Sequence, residues 1–255
     1  MFVLTLPLVA AALAGHPSED TLDALLPDRP DTTRASAFEA VSESRDRRYF
    51  APLVDLLRFA DTPEEWFRIL DAIGAILGEK TRQVIRPWRT MTLRIANDSS
   101  LEQFDSYAGW KGELLAQRVD PRFREFLHDE VTRSIRLEEV VWGGVEVDGI
   151  PALDHADVLP GSEASYLTLD EPVFGIAIGG EARAYPLRIL DWHEMANDTV
   201  GGVSFALAYC TLCGAGVAYR SELDDKTLRF GSSGLLMRSN KLMYDDATKR
   251  SEELV

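Results

Sequence analysis

The hydrophobic period of this chain changes near residue 131, and the change divides what its two halves can become. Before it, Leu53, Leu56, Leu57 and Ala60 recur at helical spacing, Asp61 breaks the run, and Trp66, Phe67, Leu70, Ile73 and Leu77 resume it. Thr62-Pro63-Glu64-Glu65 opens the second helix. The Thr62 hydroxyl can take the Glu65 N–H, the Glu65 carboxylate can reach back, and Pro63 forfeits no bond at the first helical position. Two short amphipathic helices joined by a tight turn make an αα-hairpin. It resembles one unit of a helical repeat, but no second copy follows, so a small helical bundle is expected. Pro87 interrupts the next apolar stretch, and Asp120-Pro121 starts a helix with Phe123, Phe126 and Leu127 on one side.

After Val131 valines, glycines and alternation replace the helical period. Trp142 to Pro151 reads as strand and turn. Pro172 to Ile178, Gly179-Gly180 and Glu181 to Tyr185 read as a β-hairpin with a two-glycine turn, stopped by Pro186. Leu187 to Met195 reads as a short helix closed by Asn197-Asp198, and Gly201-Gly202 as a second tight turn. Strands follow at Val203 to Tyr209, Gly214 to Tyr219, Leu228 to Ser232 and Lys241 to Tyr244. The expected class is α+β, a helical N-terminal region followed by a mostly antiparallel β domain with one short helix.

The expected organisation is a signal peptide over 1–15, a linker over 16–34, a helical region over 35–130 and a β-rich domain over 131–255. The first segment is an apolar run ending in Ala12-Leu13-Ala14, a small-x-small cleavage pattern, although no Lys or Arg precedes it. Export is therefore the expected localisation, with the cytoplasm as the alternative, and no other segment has the length of a membrane span. Residues 16–34 are rich in Pro, Asp and Thr. The polar end, Asp245 to Val255, implies either an unprotected last strand or a domain cut short. The net charge of −15 excludes a phosphate-binding stripe, so no nucleic-acid partner is expected. The acidity is uneven. Residues 31–94 hold 11 basic and 10 acidic side chains, whereas 131–255 hold 11 and 20, which indicates two different surfaces.

The chain's two cysteines lie in Tyr209-Cys210-Thr211-Leu212-Cys213-Gly214, between two predicted strands. Three chemistries fit that spacing. Paired thiolates can hold zinc or copper, with His193 as the third metal ligand after Cys210 and Cys213. The same pair can cycle between dithiol and disulfide, and Cys213→Ser is then the variant expected to trap a mixed disulfide. A plain structural bridge is the third, leaving a non-enzymatic module that meets a protein partner through the helices around Trp66. In Trp192-His193-Glu194-Met195, His193 can ligate a metal or carry a proton, with Glu194 beside it as its support or as a separate catalytic candidate. Met237 and Met243 add thioether sulfur, though methionines more often fill gaps in a core. Gly231-Ser232-Ser233-Gly234 lacks the spacing of a nucleophile loop.

The run Asp170 to Val203, followed by Ala208-Tyr-Cys-Thr-Leu-Cys-Gly214, resembles an uncharacterised prokaryotic family, domain of unknown function 3179. Gly149 to Asp154 and Gly231 to Tyr244 fit the same pattern, so the resemblance spans roughly residues 140–245. In that family the Trp-His-Glu and Cys-x-Leu-Cys elements recur together. The resemblance thus implies one site containing Trp192, His193, Glu194, Cys210 and Cys213. It implies no established activity. It also implies further aromatic and β segments beyond the Met-Tyr-Asp element.

Overall fold

The computed structural model describes residues 19–238 and 240–247. The segment expected to be a signal peptide and the last polar residues lie outside that range. Helices come first: α1 (Glu19–Asp23), α2 (Asp31–Ser44), α3 (Phe50–Leu57), α4 (Pro63–Leu77), α5 (Pro87–Ala96), α6 (Tyr107–Arg118) and α7 (Phe123–Phe126). Strands dominate the rest: β1 (Val140–Trp142), β2 (Leu153–Asp154), β3 (Val173–Ile178), β4 (Glu181–Pro186), then α8 (Leu187–His193), β5 (Met195–Val200), β6 (Val203–Cys210) and β7 (Ala215–Arg220). The short pair β8 (Glu222–Leu223) and β9 (Lys226–Thr227) precedes β10 (Phe230–Met237) and β11 (Asn240–Asp245). The protein is α+β, with antiparallel pairing throughout except between β2 and β5.

Local chemistry explains most boundaries. The Thr62 hydroxyl accepts the Glu65 N–H at 3.1 Å and starts α4. The return arm differs from the simple capping box, because the Glu65 carboxylate accepts the N–H of Asp61 at 3.1 Å and pairs with Arg34. Gly78, at φ 68°, ends the helix in the left-handed region that glycine occupies without strain. The inward stripe of α4 is Ile69, Leu70, Ile73 and Ile76, rotated from the one expected. Phe67 stays exposed, edge-to-face with Trp66 at 5.3 Å between ring centroids. Burying each of these aliphatic side chains is worth about 1.5–3 kcal/mol, more than any propensity difference within the helix.

Residues 19–34 are not a linker. They hold α1 and the start of α2, and Leu22, Leu25 and Leu26 are buried in the main core. The polar composition hid three leucines whose burial outweighs the turn-forming residues around them. A second correction concerns Asn197 and Asp198, which do not close a helix. Glu194, at φ 52°, ends α8, and both residues lie inside β5. Each is buried and fully engaged. The Asn197 amide donates to Asp154 at 2.8 Å and to the Phe230 carbonyl at 2.9 Å, and accepts the Phe230 N–H at 3.0 Å. Asp198 accepts from Arg183 at 2.6 Å and from the Tyr185 hydroxyl at 2.8 Å.

Two sheets organise the β part. One has the order β1-β10-β11, the other β2-β5-β6-β7, and the β3–β4 hairpin stands apart. The main core is shared between the helices and the first sheet. Leu235, Leu242 and Tyr244 join the same cluster as the leucines of α3 and the aromatics of α6. At this junction lies Lys111, 2% exposed. Its ammonium donates to Asp55 of α3 at 3.1 Å, to the Tyr107 hydroxyl at 3.3 Å, and to the carbonyls of Leu137 and Val140 at 3.2 and 2.6 Å. Burial pushes the Asp55 carboxyl above its usual range, and Lys111 and Tyr107 act against that rise.

Both two-glycine turns form as expected, and they touch. Gly179, Gly180, Gly201 and Gly202 all have positive φ. A Cβ on Gly201 would lie 2.1 Å from the backbone oxygen of Ile178, whereas one on Gly202 would meet nothing within 4 Å. Gly201→Ala is therefore expected to destabilise the fold by at least about 2 kcal/mol more than Gly202→Ala, as thermal unfolding would show, because both share the φ penalty and only one clashes. Lys111→Met leaves the Asp55 carboxylate buried without its cation. We expect a loss of about 3–5 kcal/mol in urea denaturation, and a loss below about 1 kcal/mol would mean the ammonium is not what holds this junction.

Candidate functional site

β6 carries the site to its C-terminal end. It is buried along most of its length because it pairs with β5 on one side and β7 on the other. Phe205, Leu207 and Tyr209 enter one apolar cluster, and Ala206 and Ala208 enter another on the opposite face. Cys210 is the last residue of β6 and pairs with Ala215, the first of β7. The turn between them is tied by the Cys213 and Gly214 N–H groups, which donate to the Cys210 carbonyl at 3.1 and 2.8 Å. Gly214, at φ 63°, supplies the left-handed residue that lets a four-residue loop close there.

The turn brings the two sulfurs together as a Cys210–Cys213 disulfide, with the Cα atoms 5.2 Å apart. The sulfurs are unequal in access. Cys210 is 3% exposed, Cys213 is only half-buried, and Leu212 between them is 79% exposed. Cys213 is thus the less enclosed residue of the pair.

His193 is the last residue of α8. Its ring Nδ1 lies 2.9 Å from the Pro151 carbonyl, which can only accept, so Nδ1 carries a hydrogen. Trp192 beside it is 78% exposed. Glu194, expected to support His193, turns instead to Lys241 of β11. The Lys241 ammonium donates to the Glu194 carbonyl at 3.2 Å and to its carboxylate at 3.3 Å. The same carbonyl accepts the Tyr209 N–H at 2.9 Å, so Glu194 and Lys241 are attached to the residue that precedes Cys210. Burial draws the Lys241 ammonium below the usual lysine range, while Glu194 and then Asp148 act to hold it up. The Tyr209 hydroxyl is raised by loss of solvent and then by Asp191.

The sequence reading had no signal for Lys241, which belongs to the site only through a pairing 47 residues long. The methionines do not converge. Met243 lies in the small cluster beside β6, and Met237 packs against the main core. Among the described residues no group of three or more His, Cys, Asp and Glu side chains is placed to hold a metal ion.

No curated protein and no solved structure matches the chain. Residues 147–251 match the family model described as protein of unknown function (DUF3179), a stretch that contains His193, Glu194, both cysteines and Lys241. The part of the chain that bears the candidate site is therefore similar to the domain of unknown function 3179.

Proposed function

We propose that Cys210 and Cys213 form a thiol–disulfide exchange site. One observation carries this reading: the bridge spans a four-residue turn and leaves Cys213 half-buried while Cys210 is enclosed. A bridge that closes so short a loop contributes little stability. Chain entropy gives about 2 kcal/mol for four residues, against about 4.7 kcal/mol for a loop of a hundred. Six residue pairs of the β6–β7 ladder already close this hairpin, which reduces the benefit further. A disulfide with little to hold and one accessible sulfur suits exchange better than stapling.

The reaction is a two-electron exchange with a dithiol. A substrate thiolate attacks the Cys213 sulfur, forms a mixed disulfide and breaks the Cys210–Cys213 bond, whose electron pair departs on Cys210 as a thiolate. The second substrate thiolate then attacks its own half of the mixed disulfide and expels Cys213 as a thiolate. The substrate leaves as a disulfide, oxidised by two electrons, and its two protons pass to solvent. In the reverse direction the reduced pair opens a disulfide. This order reverses the trap expected from the sequence, since the accessible Cys213 is the reacting sulfur and Cys210 the resolving one.

An oxidising compartment suits such a bridge, so export supports this reading. Among the described residues no helix is long and apolar enough to cross a membrane. Zinc or copper capture by the reduced thiols with His193 is a second reading. The His193 Nδ1 bond to Pro151 favours it, because metal-bound imidazoles are commonly oriented through their other nitrogen.

Equilibration of the purified protein in glutathione and dithiothreitol buffers, with thiols counted by mass, tests the exchange reading. The expected reduction potential lies above about −300 mV, and a bridge that stays closed below that value is structural. Cys210→Ser, whose Cys213 is a free thiol, is expected to accumulate a mixed disulfide when given oxidised glutathione, with one reduced glutathione released per bond formed, whereas Cys213→Ser accumulates far less. Metal analysis of the reduced protein checks the second reading. One equivalent of zinc or copper, lost in Cys210→Ser, would support it, and a metal-free reduced protein would remove it.

A further inference from the structure

Lys241 stands where the exchange site needs a charge. Successive strand residues point to opposite faces, so Cys210 continues the row of Ala206 and Ala208. That row packs with Met195, Phe230 and Met243. Met243 belongs to β11, and Lys241, two residues earlier, lies in the same row of that strand. Lys241 is 3% exposed, and its ammonium holds the Glu194 carbonyl that also accepts the Tyr209 N–H. The ammonium is thereby anchored one residue from Cys210, on the face toward which the Cys210 side chain is directed.

A helix-capping role accounts for part of this arrangement. Glu194 follows α8, and lysines commonly bond the last carbonyls of a helix. Two features exceed that role. Lysine brings three N–H donors, and both acceptors of Lys241 belong to Glu194, so the described residues give the third hydrogen no acceptor. The surroundings on this face are also enclosed, with methionine, alanine and phenylalanine beside the buried polar side chains of Asn197, Ser232 and Asp245, so a charge there is screened less than one in water. The carboxylates that act on the ammonium are Glu194 and, at longer range, Asp148, and the fully buried Asp245 lies in the same row of β11. Asp191 engages Tyr209, which packs into the cluster on the other side of β6. His193 is held by Pro151.

We propose that Lys241 is a positioning residue for exchange, supplying the positive charge that stabilises Cys210 as the leaving thiolate. This rests on the exchange reading above. When the Cys210–Cys213 bond breaks, the electron pair goes to the enclosed Cys210, and a thiolate there is costly without a counter-charge. A better-stabilised leaving thiolate departs faster and makes the bridge more oxidising.

The test compares the wild-type protein with Lys241→Met, Lys241→Gln and Lys241→Arg. The readouts are the potential against glutathione, the rate of mixed-disulfide formation with a dithiol peptide, and the thermal midpoint. Removing the charge is expected to slow the exchange about tenfold, the effect of one pK unit on the leaving thiol. The equilibrium should shift by a similar factor toward the disulfide, which is about 30 mV more negative. Lys241→Arg is expected to retain wild-type behaviour. Lys241→Gln keeps a donor for the Glu194 carbonyl without the charge, so it separates capping from charge and serves if the methionine variant does not fold. A folded Lys241→Gln or Lys241→Met protein with unchanged potential and rate overturns the proposal and leaves Lys241 a cap. A wild-type protein that exchanges with no thiol buffer overturns the exchange reading itself, and this proposal with it.

Discussion

The buried ammonium of Lys111 is the contact on which the arrangement of the two halves depends. A lysine can be enclosed only if its donors find oxygen atoms, and Lys111 finds four, on α3, on its own helix, and on the carbonyls of Leu137 and Val140. Two helices and the start of β1 are thereby fixed to one atom. From β1 the geometry passes outward by backbone pairing. Val140 to Trp142 align with Leu235 to Met237 of β10, and β10 aligns with β11. β11 then lays Met243 and Lys241 against β5 and β6. Among the described residues the helical region supplies no side chain to the cysteine site, yet it packs against the sheet that holds β11, and β11 carries Lys241.

β6 shows why the chemistry sits at a strand end. Its interior residues are used twice over, since they pair with neighbours on both edges and pack on both faces. A side chain in that position can only fill a core. At Cys210 the ladder stops, and within three residues the chain passes from 3% exposure to a half-buried Cys213. The same turn therefore supplies two cysteines of unequal burial, and in the exchange we propose that inequality assigns them unequal roles.

Features encoded by single residues were legible in the sequence. Gly179-Gly180 and Gly201-Gly202 could be read as turns because positive φ is a property of glycine itself. Thr62 could be read as a cap because its acceptor serves a donor three residues on. The strand–turn–strand around Cys210 was legible for the same local reason. Features settled by distant partners were not. Asn197-Asp198 carries the composition of a helix stop. Inside β5 it becomes a pair of buried acceptors and donors, because Asp154, Phe230, Arg183 and Tyr185 arrive from four other places in the chain. Leu22, Leu25 and Leu26 were masked by the Pro, Asp and Thr around them, and the core they enter is assembled from the rest of the helical region. Glu194 was legible as part of the site, but not its partner, because nothing local relates it to Lys241.

The two buried lysines are held differently, and the difference underlies the role we propose for Lys241. Lys111 is surrounded by oxygen atoms from several elements, with a carboxylate among them, so its charge is neutralised where it lies and its function is complete in the resting fold. Lys241 takes both acceptors from one residue at the edge of an apolar cluster, and the Glu194 carboxylate it meets is itself only partly enclosed. A charge held that loosely has no structural need to be a charge, because a neutral donor could bond the same carbonyl. It gains a purpose when a second anion forms nearby, and breaking the Cys210–Cys213 bond produces one on the strand residue next to its anchor. In the role we propose, the cost of enclosing the ammonium is borne in the resting state and is offset when the disulfide opens.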